Sequence, residues 1–511
     1  MKVKVLRRDE DQVVRQSKHD LPRMQRNTAP ELHPFEAARE YKRALNSVKL
    51  ERVFAKPFIC SLDGHRDGVY CMASHPKKLS QMLSGSADGE VRLWDLSSRT
   101  CLFNRELHKG FVHGVCFTPL GEHFLSVGQD KTIKICTLGE EVEQTTLLGK
   151  SFFKDISYHR SKDVFVTGGP EVELWSPHRA DPIQTLTWGH DTTNCTVFNM
   201  VETNIFASTA DDRSITLFDI RASKPIRKIK LEMRSNRLCW NPQEAFNFTV
   251  ANEDHNCYTF DMRKMKRALM AHQDHVSAVM DISYSPTGRE FATASYDCSL
   301  RIFDHRSGHS REVYHTKRMQ RVFCVKWAND NKYITSGSDE TNIRVWKATA
   351  WEKIGTQSAR QRAASRYGEK LKERFKHHPE IRRISRHRHV PKAIYNARRQ
   401  KHEMIQAQRR REQNLAHTRC DDEQERTAGQ GREEEEGEEG EEGTWSHPIC
   451  PRGRIHRGVT MRTGVALHIP RHTHTHMHTI TQAHTHTHIL AHASFACIFS
   501  CCSLFSGYVH I

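Results

Sequence analysis

No Cys-x-x-Cys pair occurs anywhere in this chain of 511 residues, although it contains 15 cysteines. That absence excludes a zinc ribbon or a redox dithiol. Ten of the cysteines fall between residues 57 and 347, scattered singly, several of them on expected strands (Cys71, Cys116, Cys257, Cys324). They read as small buried hydrophobes of a reducing compartment and not as a disulfide framework. The opening residues, Met1-Lys2-Val3-Lys4-Val5-Leu6-Arg7-Arg8, lack the apolar stretch of a secretory signal, which points to a nuclear or cytosolic protein. Net charge is missing from the middle of the chain: residues 57–346 hold 36 Lys and Arg against 35 Asp and Glu. No nucleophile is singled out beside a base, so an enzyme is not expected, nor is a cofactor, a metal or a small-molecule substrate.

What the chain has instead is a repeat. An aromatic or small residue followed by a polar one recurs as Trp94-Asp95, Cys136-Thr137, Trp175-Ser176, Phe218-Asp219, Phe260-Asp261, Phe303-Asp304 and Trp346-Lys347. A period of roughly 40–45 residues ending in such a pair is the mark of four-stranded propeller blades. The first unit is the fullest: strands over 69–73, 82–85 and 91–94 are separated by His75-Pro76 and by the tight turn Ala87-Asp88-Gly89. The expected fold is all-β, a seven-bladed propeller over residues 57–347. Phe58-Ile59-Cys60-Ser61-Leu62 stands where the strand that closes the ring is needed.

Six residues before the signature position lies Asp88, Asp130, Asp212, Asp254 or Asp297 in five of the seven units. In WD-repeat propellers such an Asp joins a loop His, a strand Ser or Thr and the Trp in a hydrogen-bonded tetrad. His65, Ser84, Asp88 and Trp94 form the fullest candidate set. A catalytic-triad reading fails because the same arrangement recurs around the ring. Gly169 and Glu340 replace the Asp in units three and seven, where weaker pinning is expected.

The missing charge reappears outside the ring. Residues 1–56 carry 14 Lys and Arg against 8 acids, and residues 347–419 carry 21 against 6. A basic helical extension is expected over 348–418, broken at His377-His378-Pro379 because proline removes a donor and restricts its predecessor. Its cations include Lys370, Lys372, Arg374 and Lys376, then Arg382, Arg383, Arg386, Arg388 and Lys392, then Arg398, Arg399, Arg409, Arg410 and Arg411. Such a density of guanidinium groups suits phosphate neutralisation, and these residues are the candidate RNA contacts. A nuclear-import signal is a compatible second role.

Tyr367-Gly368-Glu369-Lys370-Leu371-Lys372-Glu373-Arg374-Phe375 and Arg386-His387-Arg388-His389-Val390-Pro391-Lys392 resemble the SOF domain. His33-Pro34-Phe35-Glu36 and Lys49-Leu50-Glu51-Arg52-Val53-Phe54 are similar to the N-terminal part of the same family of WD repeat and SOF domain-containing proteins. The resemblance covers about residues 1–415. It implies a nucleolar scaffold of the small-subunit processome, with processome proteins, pre-rRNA and a box C/D small nucleolar RNA as partners. The implied task is 18S rRNA maturation. Phe218-Asp219-Ile220-Arg221, Phe260-Asp261-Met262-Arg263 and Phe303-Asp304-His305-Arg306 also resemble the Trp-Asp-x-Arg motif. Proteins with that motif dock on the damaged-DNA-binding adaptor of cullin–RING ubiquitin ligases. The alternative function is therefore that of a substrate receptor, with Phe in place of Trp in all three copies.

Residues 419–511 change character, with the acidic run 433–442 and the Thr-His alternations at 472–476 and 484–488. A translated AC dinucleotide repeat produces the Thr-His alternation and a GAG/GGA-rich repeat the Glu/Gly run, so this segment is read as a low-complexity, isoform-specific tail without regular structure. Residues 489–511 are long enough to span a bilayer but poor in anchoring residues, and no membrane association is expected.

Overall fold

Each repeat becomes a blade because short apolar alternations are separated by turn residues at close intervals, so neighbouring strands pair before distant ones can. In a computed structural model of the chain, residues 30–138, 144–186, 191–222 and 224–435 are described, with side chains within 31–418. Seven antiparallel four-stranded sheets result, six of them with strands in chain order. The first consists of Val69–Ser74, Gln81–Ser86, Glu90–Asp95 and Thr100–Glu106. First strands of neighbouring blades lie against one another around the axis.

The seventh sheet is composite. Phe58–Leu62 pairs with Ile343–Lys347, placing Cys60 opposite Val345, Ser61 opposite Arg344 and Leu62 opposite Ile343. The ring is thus closed by the segment before the first repeat, as the sequence suggested. Leu62, Val69, Met72, Met82 and Trp94 share one core cluster with Cys324, Ile343 and Val345, so apolar packing continues across the seam.

Turn geometry repeats as faithfully as the strands do. Five residues before the signature position the backbone is left-handed: Gly89 at φ 90°, Lys131 at 62°, Arg213 at 66°, His255 at 75°, Cys298 at 60° and Thr341 at 70°. Only the third blade departs, and Pro170 explains it, since a proline ring locks φ near −65°.

Side chains near the axis then staple blade to blade. Asp155 accepts the Thr196 N–H at 2.8 Å and Ser157 the Phe198 N–H at 3.2 Å. Asp281 and Ser283 do the same for Val325 and Trp327, at 2.8 and 2.9 Å. Arg237 lies between the two carboxylates, 3.1 Å from Asp155 and 3.5 Å from Asp281. Asp155→Ala strands a buried N–H and removes one of these two partners. It is expected to lower stability by about 2 kcal/mol in urea unfolding, and a shift indistinguishable from zero refutes the staple.

The two basic extensions, read in sequence as separate arms, share one core. Helix α1 (Glu36–Val53) packs on α2 (Ala359–Arg374) and α3 (Pro379–Arg386), and α4 (Lys392–Glu435) follows. Ala44, Val48, Leu371 and Ile381 are buried between them, with Tyr41, Leu45, Phe375 and Ile384 around the edge. Ser358 caps α2 in a reciprocal pair with Gln361, and Pro379 opens α3 where its missing N–H costs nothing. The described residues up to 425 form one compact unit. No described helix is long and apolar enough to cross a membrane. The Thr-His alternations and residues 489–511 lie outside the described residues.

Candidate nucleic-acid interface and docking faces

The blade ties come first, because they decide whether any His–Asp pair is available for chemistry. In blade one, His65 Nε2 meets the Ser84 hydroxyl at 2.6 Å, and the Trp94 indole N–H donates to the same oxygen at 2.8 Å. Asp88 does not complete the set. It accepts from the Ser86 hydroxyl and the Glu90 N–H, a local turn that a side chain this short reaches more easily than the imidazole. Glu90 stands beside His65 instead, 3.3 Å from Nδ1 but without hydrogen-bond alignment. This corrects the expected tetrad.

Blades two and six carry the His–Asp link that blade one lacks. His108 Nδ1 lies 3.0 Å from Asp130 and its Nε2 2.8 Å from Ser126. His275 Nδ1 lies 2.9 Å from Asp297 and its Nε2 2.7 Å from Thr293. Here the signature Trp is replaced by Cys136 and Phe303. Among the described residues no blade holds all four members. Asp212 turns instead to Ser214 and Lys228, and Asp254 to Asn256 and Tyr258.

His65, Asp88 and Glu90 form the one described group whose ligand atoms all lie within 4.8 Å. Arg92 already grips Glu90 through two N–H groups at 2.9 and 2.8 Å. A guanidinium at that distance opposes a metal cation, and the cluster fits a blade tie.

The basic extension divides into spent and open cations. Arg374 pairs with Glu40 and Lys372 with Glu51, both across the helical core. Arg388 donates to the Arg311 carbonyl beside buried Glu312, which also holds Arg52 at 3.0 Å. Arg398 reaches Asp274 of blade six at 3.2 Å, and Arg399 pairs with Glu403 at 3.0 Å. Lys372, Arg374, Arg388 and Arg398 thus fasten helices to each other or to the ring, whereas the Arg399 pair lies within α4 and is exposed. The acidic partners of these four fastened cations lie far away in sequence (|i−j| of 334 for Glu40–Arg374), so no local pattern announces them.

Arg382, Arg383 and Arg386 are exposed on α3, while Ile381 of the same helix is buried. Lys376, Lys392, Arg409, Arg410 and Arg411 are exposed as well. Lys376, Arg382 and Arg386 border a cleft of about 570 Å³ whose wall includes Trp351. Sequence reasoning missed Trp351, which has Arg52, Arg311 and Lys372 over its ring at 5.8–6.0 Å. A Trp four residues beyond the last strand was the available signal.

The three Phe-Asp-x-Arg copies are not equivalent. Arg221 clasps Asp219 through Nε at 3.2 Å and Nη2 at 3.1 Å, and Arg263 clasps Asp261 at 3.1 and 2.9 Å. Both side chains are more than half exposed. Arg263 also lies 4.2 Å from the centre of the Phe246 ring. Arg306 breaks the pattern: only its backbone N–H meets Asp304, and its guanidinium leans towards Glu244 at 3.9 Å.

A closed ring of seven WD-type blades, tied by structural histidines and carrying a helical cap, defines a WD-repeat propeller. The Sof1-like domain model matches residues 348–433, and the WD domain, G-beta repeat model matches 56–95, 99–136, 264–304 and 308–347. DDB1- and CUL4-associated factor 13 of Xenopus tropicalis is 54% identical over 420 residues, spanning 81% of this chain and 94% of that protein. The Homo sapiens protein of the same name is 53% identical over 420 residues, with the same coverage. Protein SOF1 of Saccharomyces cerevisiae is 46% identical over 450 residues, covering 82% of this chain and 92% of that one. The chain belongs to the Sof1-like family of WD-repeat proteins.

Proposed function

We propose that this protein is a non-enzymatic scaffold of the nucleolar small-subunit processome, serving pre-rRNA processing and 18S rRNA maturation. Its basic helices would meet pre-rRNA or a box C/D small nucleolar RNA, while the propeller holds processome proteins. The observation that carries this reading is the division of the cations. Four are consumed in fastening the cap, whereas exposed guanidinium groups remain on α3 and along α4. The fastened set gives the open set a fixed platform, which lowers the ordering cost of binding a phosphate chain.

In-cell UV crosslinking with RNA sequencing tests the proposal, comparing the intact protein with a variant carrying Gln at Arg382, Arg383, Arg386, Arg409, Arg410 and Arg411. Crosslinks to pre-rRNA or box C/D RNA should fall at least tenfold in the variant. In vitro, binding to a single-stranded RNA should lose about four units of salt-dependence slope, at about 0.7 per removed phosphate contact. Unchanged crosslinks refute the arm as the RNA contact.

The geometry of Arg221 and Arg263 favours a second reading, as a substrate receptor of a cullin–RING ubiquitin ligase. The name of the vertebrate relatives states association with DDB1 and CUL4 for those proteins. An Arg pinned by its own Asp presents its remaining N–H groups outward without losing further rotamer freedom. Arg221→Ala with Arg263→Ala should abolish co-purification with the ligase adaptor and leave the melting temperature unchanged, because both groups face solvent. Arg306→Ala should have the smaller effect, and equal loss in both variants counts against the bidentate clasp as the determinant.

A further inference from the structure

Four aromatic rings run along the mouth of the central channel from blade six to blade two. Tyr296 meets Phe323 edge-on at 5.9 Å, Phe323 stacks on Tyr70 at 4.3 Å, and Tyr70 meets Phe111 edge-on at 5.6 Å. Tyr70 and Phe323 belong to the first, innermost strands of their blades, and Phe111 immediately precedes one. Phe111 is 40% exposed, and Tyr70 and Tyr296 are 36% exposed. This is a contiguous aromatic surface on the ring itself, apart from the helical cap and from the Phe-Asp-x-Arg turns.

Its electrostatics indicate what it would hold. The Asp339 carboxylate lies beside Tyr70, so close to the Gly68 backbone that a Cβ there would stand 3.3 Å from Oδ1. Among the described residues that carboxylate has no hydrogen-bond or ion-pair partner. Burial, and then the negative charges of Asp339 and Asp67, push the Tyr70 phenol above its ordinary value, which places both carboxylates within electrostatic reach of the ring. The surface already holds one cation in this manner: the Arg321 guanidinium lies 5.5 Å from the Tyr296 ring centre. Aromatic faces with neighbouring carboxylates attract a desolvated cation. The same carboxylates repel phosphate, which disfavours RNA here.

We propose that this rim is a docking site for a basic linear segment of a partner protein. A Lys or Arg of the segment would lie against the Tyr70 and Phe111 rings and pair with Asp339, while an adjoining apolar side chain covers Phe111.

A library of random 12-residue peptides displayed on phage and panned on the full-length chain tests this. Enriched sequences should place Lys or Arg next to an aromatic or aliphatic residue. Synthetic peptides of the leading sequence should bind about tenfold more weakly to Asp339→Asn, which corresponds to about 1.4 kcal/mol. Phe111→Ser should also weaken binding, while Arg221→Ala should bind as the intact chain does. Tyr70→Phe, which retains the stack on Phe323, should keep most of the affinity and guards against a folding failure at that position. Enrichment of acidic sequences would overturn the proposal, as would binding indifferent to both Asp339→Asn and Phe111→Ser. Displacement of the peptide by single-stranded oligouridylate at equal concentration would overturn it in favour of a nucleic-acid surface.

Discussion

Replacing residues 58–62 by a Gly-Ser stretch of equal length, with α1 left in place, is expected to lower the melting temperature by more than 10 °C and to promote aggregation. Leu62 is 2% exposed, and its removal from the seam forfeits about 2–3 kcal/mol of apolar burial. Phe58, whose ring meets Trp346 edge-on at 5.6 Å, and half-buried Cys60 are lost with it. The ladder to Ile343–Lys347 goes too, at about 1 kcal/mol for each hydrogen bond. The larger consequence is topological. Ile343–Lys347 becomes an open edge with buried Ile343, Val345 and Trp346 behind it, a template for pairing with another chain. Calorimetry and light scattering during heating provide the measurement. A melting temperature within about 3 °C of the intact protein would show that the ring does not depend on this strand.

Stability should also fall as pH drops from 7 to 5, because the ring buries many histidines in their neutral form. His272 is the clearest case. Burial pushes it from 6.5 down to about 4, the nearby His305 adds to the shift, and the Ser307 carbonyl opposes it. Nδ1–H donates to that carbonyl at 2.8 Å, and Nε2 lies 3.0 Å from the Thr259 hydroxyl, which can donate to it. The unfolded chain takes up this proton near pH 6.5 and the folded one near 4, so the unfolded state binds more protons between those values. The contribution is therefore complete above pH 6.5 and is lost as pH falls towards 4, about 3 kcal/mol in all and about 2 kcal/mol of it by pH 5. His108, His159 and His275 are pushed down by burial in the same sense. Asp281 and Glu290, pushed up by burial, act in the opposite sense at more acid pH. Melting temperatures recorded from pH 7.5 to 5 should fall steadily, and His272→Gln should flatten part of the slope. A profile flat to pH 5 would refute the neutral burial of these side chains.

The two expected results differ in how far they could be foreseen. Closure by residues 58–62 was legible because a ring of repeats leaves a vacancy at its last blade, and the segment just before the first repeat alternates as a strand. The acid response was not. His272 occupies an outer strand in a repeat without a His–Asp tie, and its burial depends on contact with Ser307 of the next blade.

Asp88 teaches a similar lesson. Its spacing from Trp94 matches that of Asp130 and Asp297 from their signature residues, yet it bonds its own turn while Glu90 stands beside His65. A two-residue difference in which carboxylate reaches an imidazole is settled by rotamers and by the grip of Arg92, neither of which the repeat encodes. The basic extension shows the effect on a larger scale. Density of charge identified it, but the partition into fastened and open cations rests on Glu40, Glu51, Asp274 and Glu312, which are distant in the chain.

By itself the sequence determined the seven-bladed ring, its closing segment, the break at Pro379 and the family, because each is carried by short-range periodicity or by contiguous residues. Only the tertiary structure decided that α1 and α2–α3 share a core, that Arg374 is spent on holding it and Arg388 on fastening the extension to the ring, and that Tyr70, Phe111, Tyr296 and Phe323 meet at one rim. The physical reason is the same in each case. These outcomes are contacts between elements far apart along the chain, made only when ring closure brings the two ends of the propeller together.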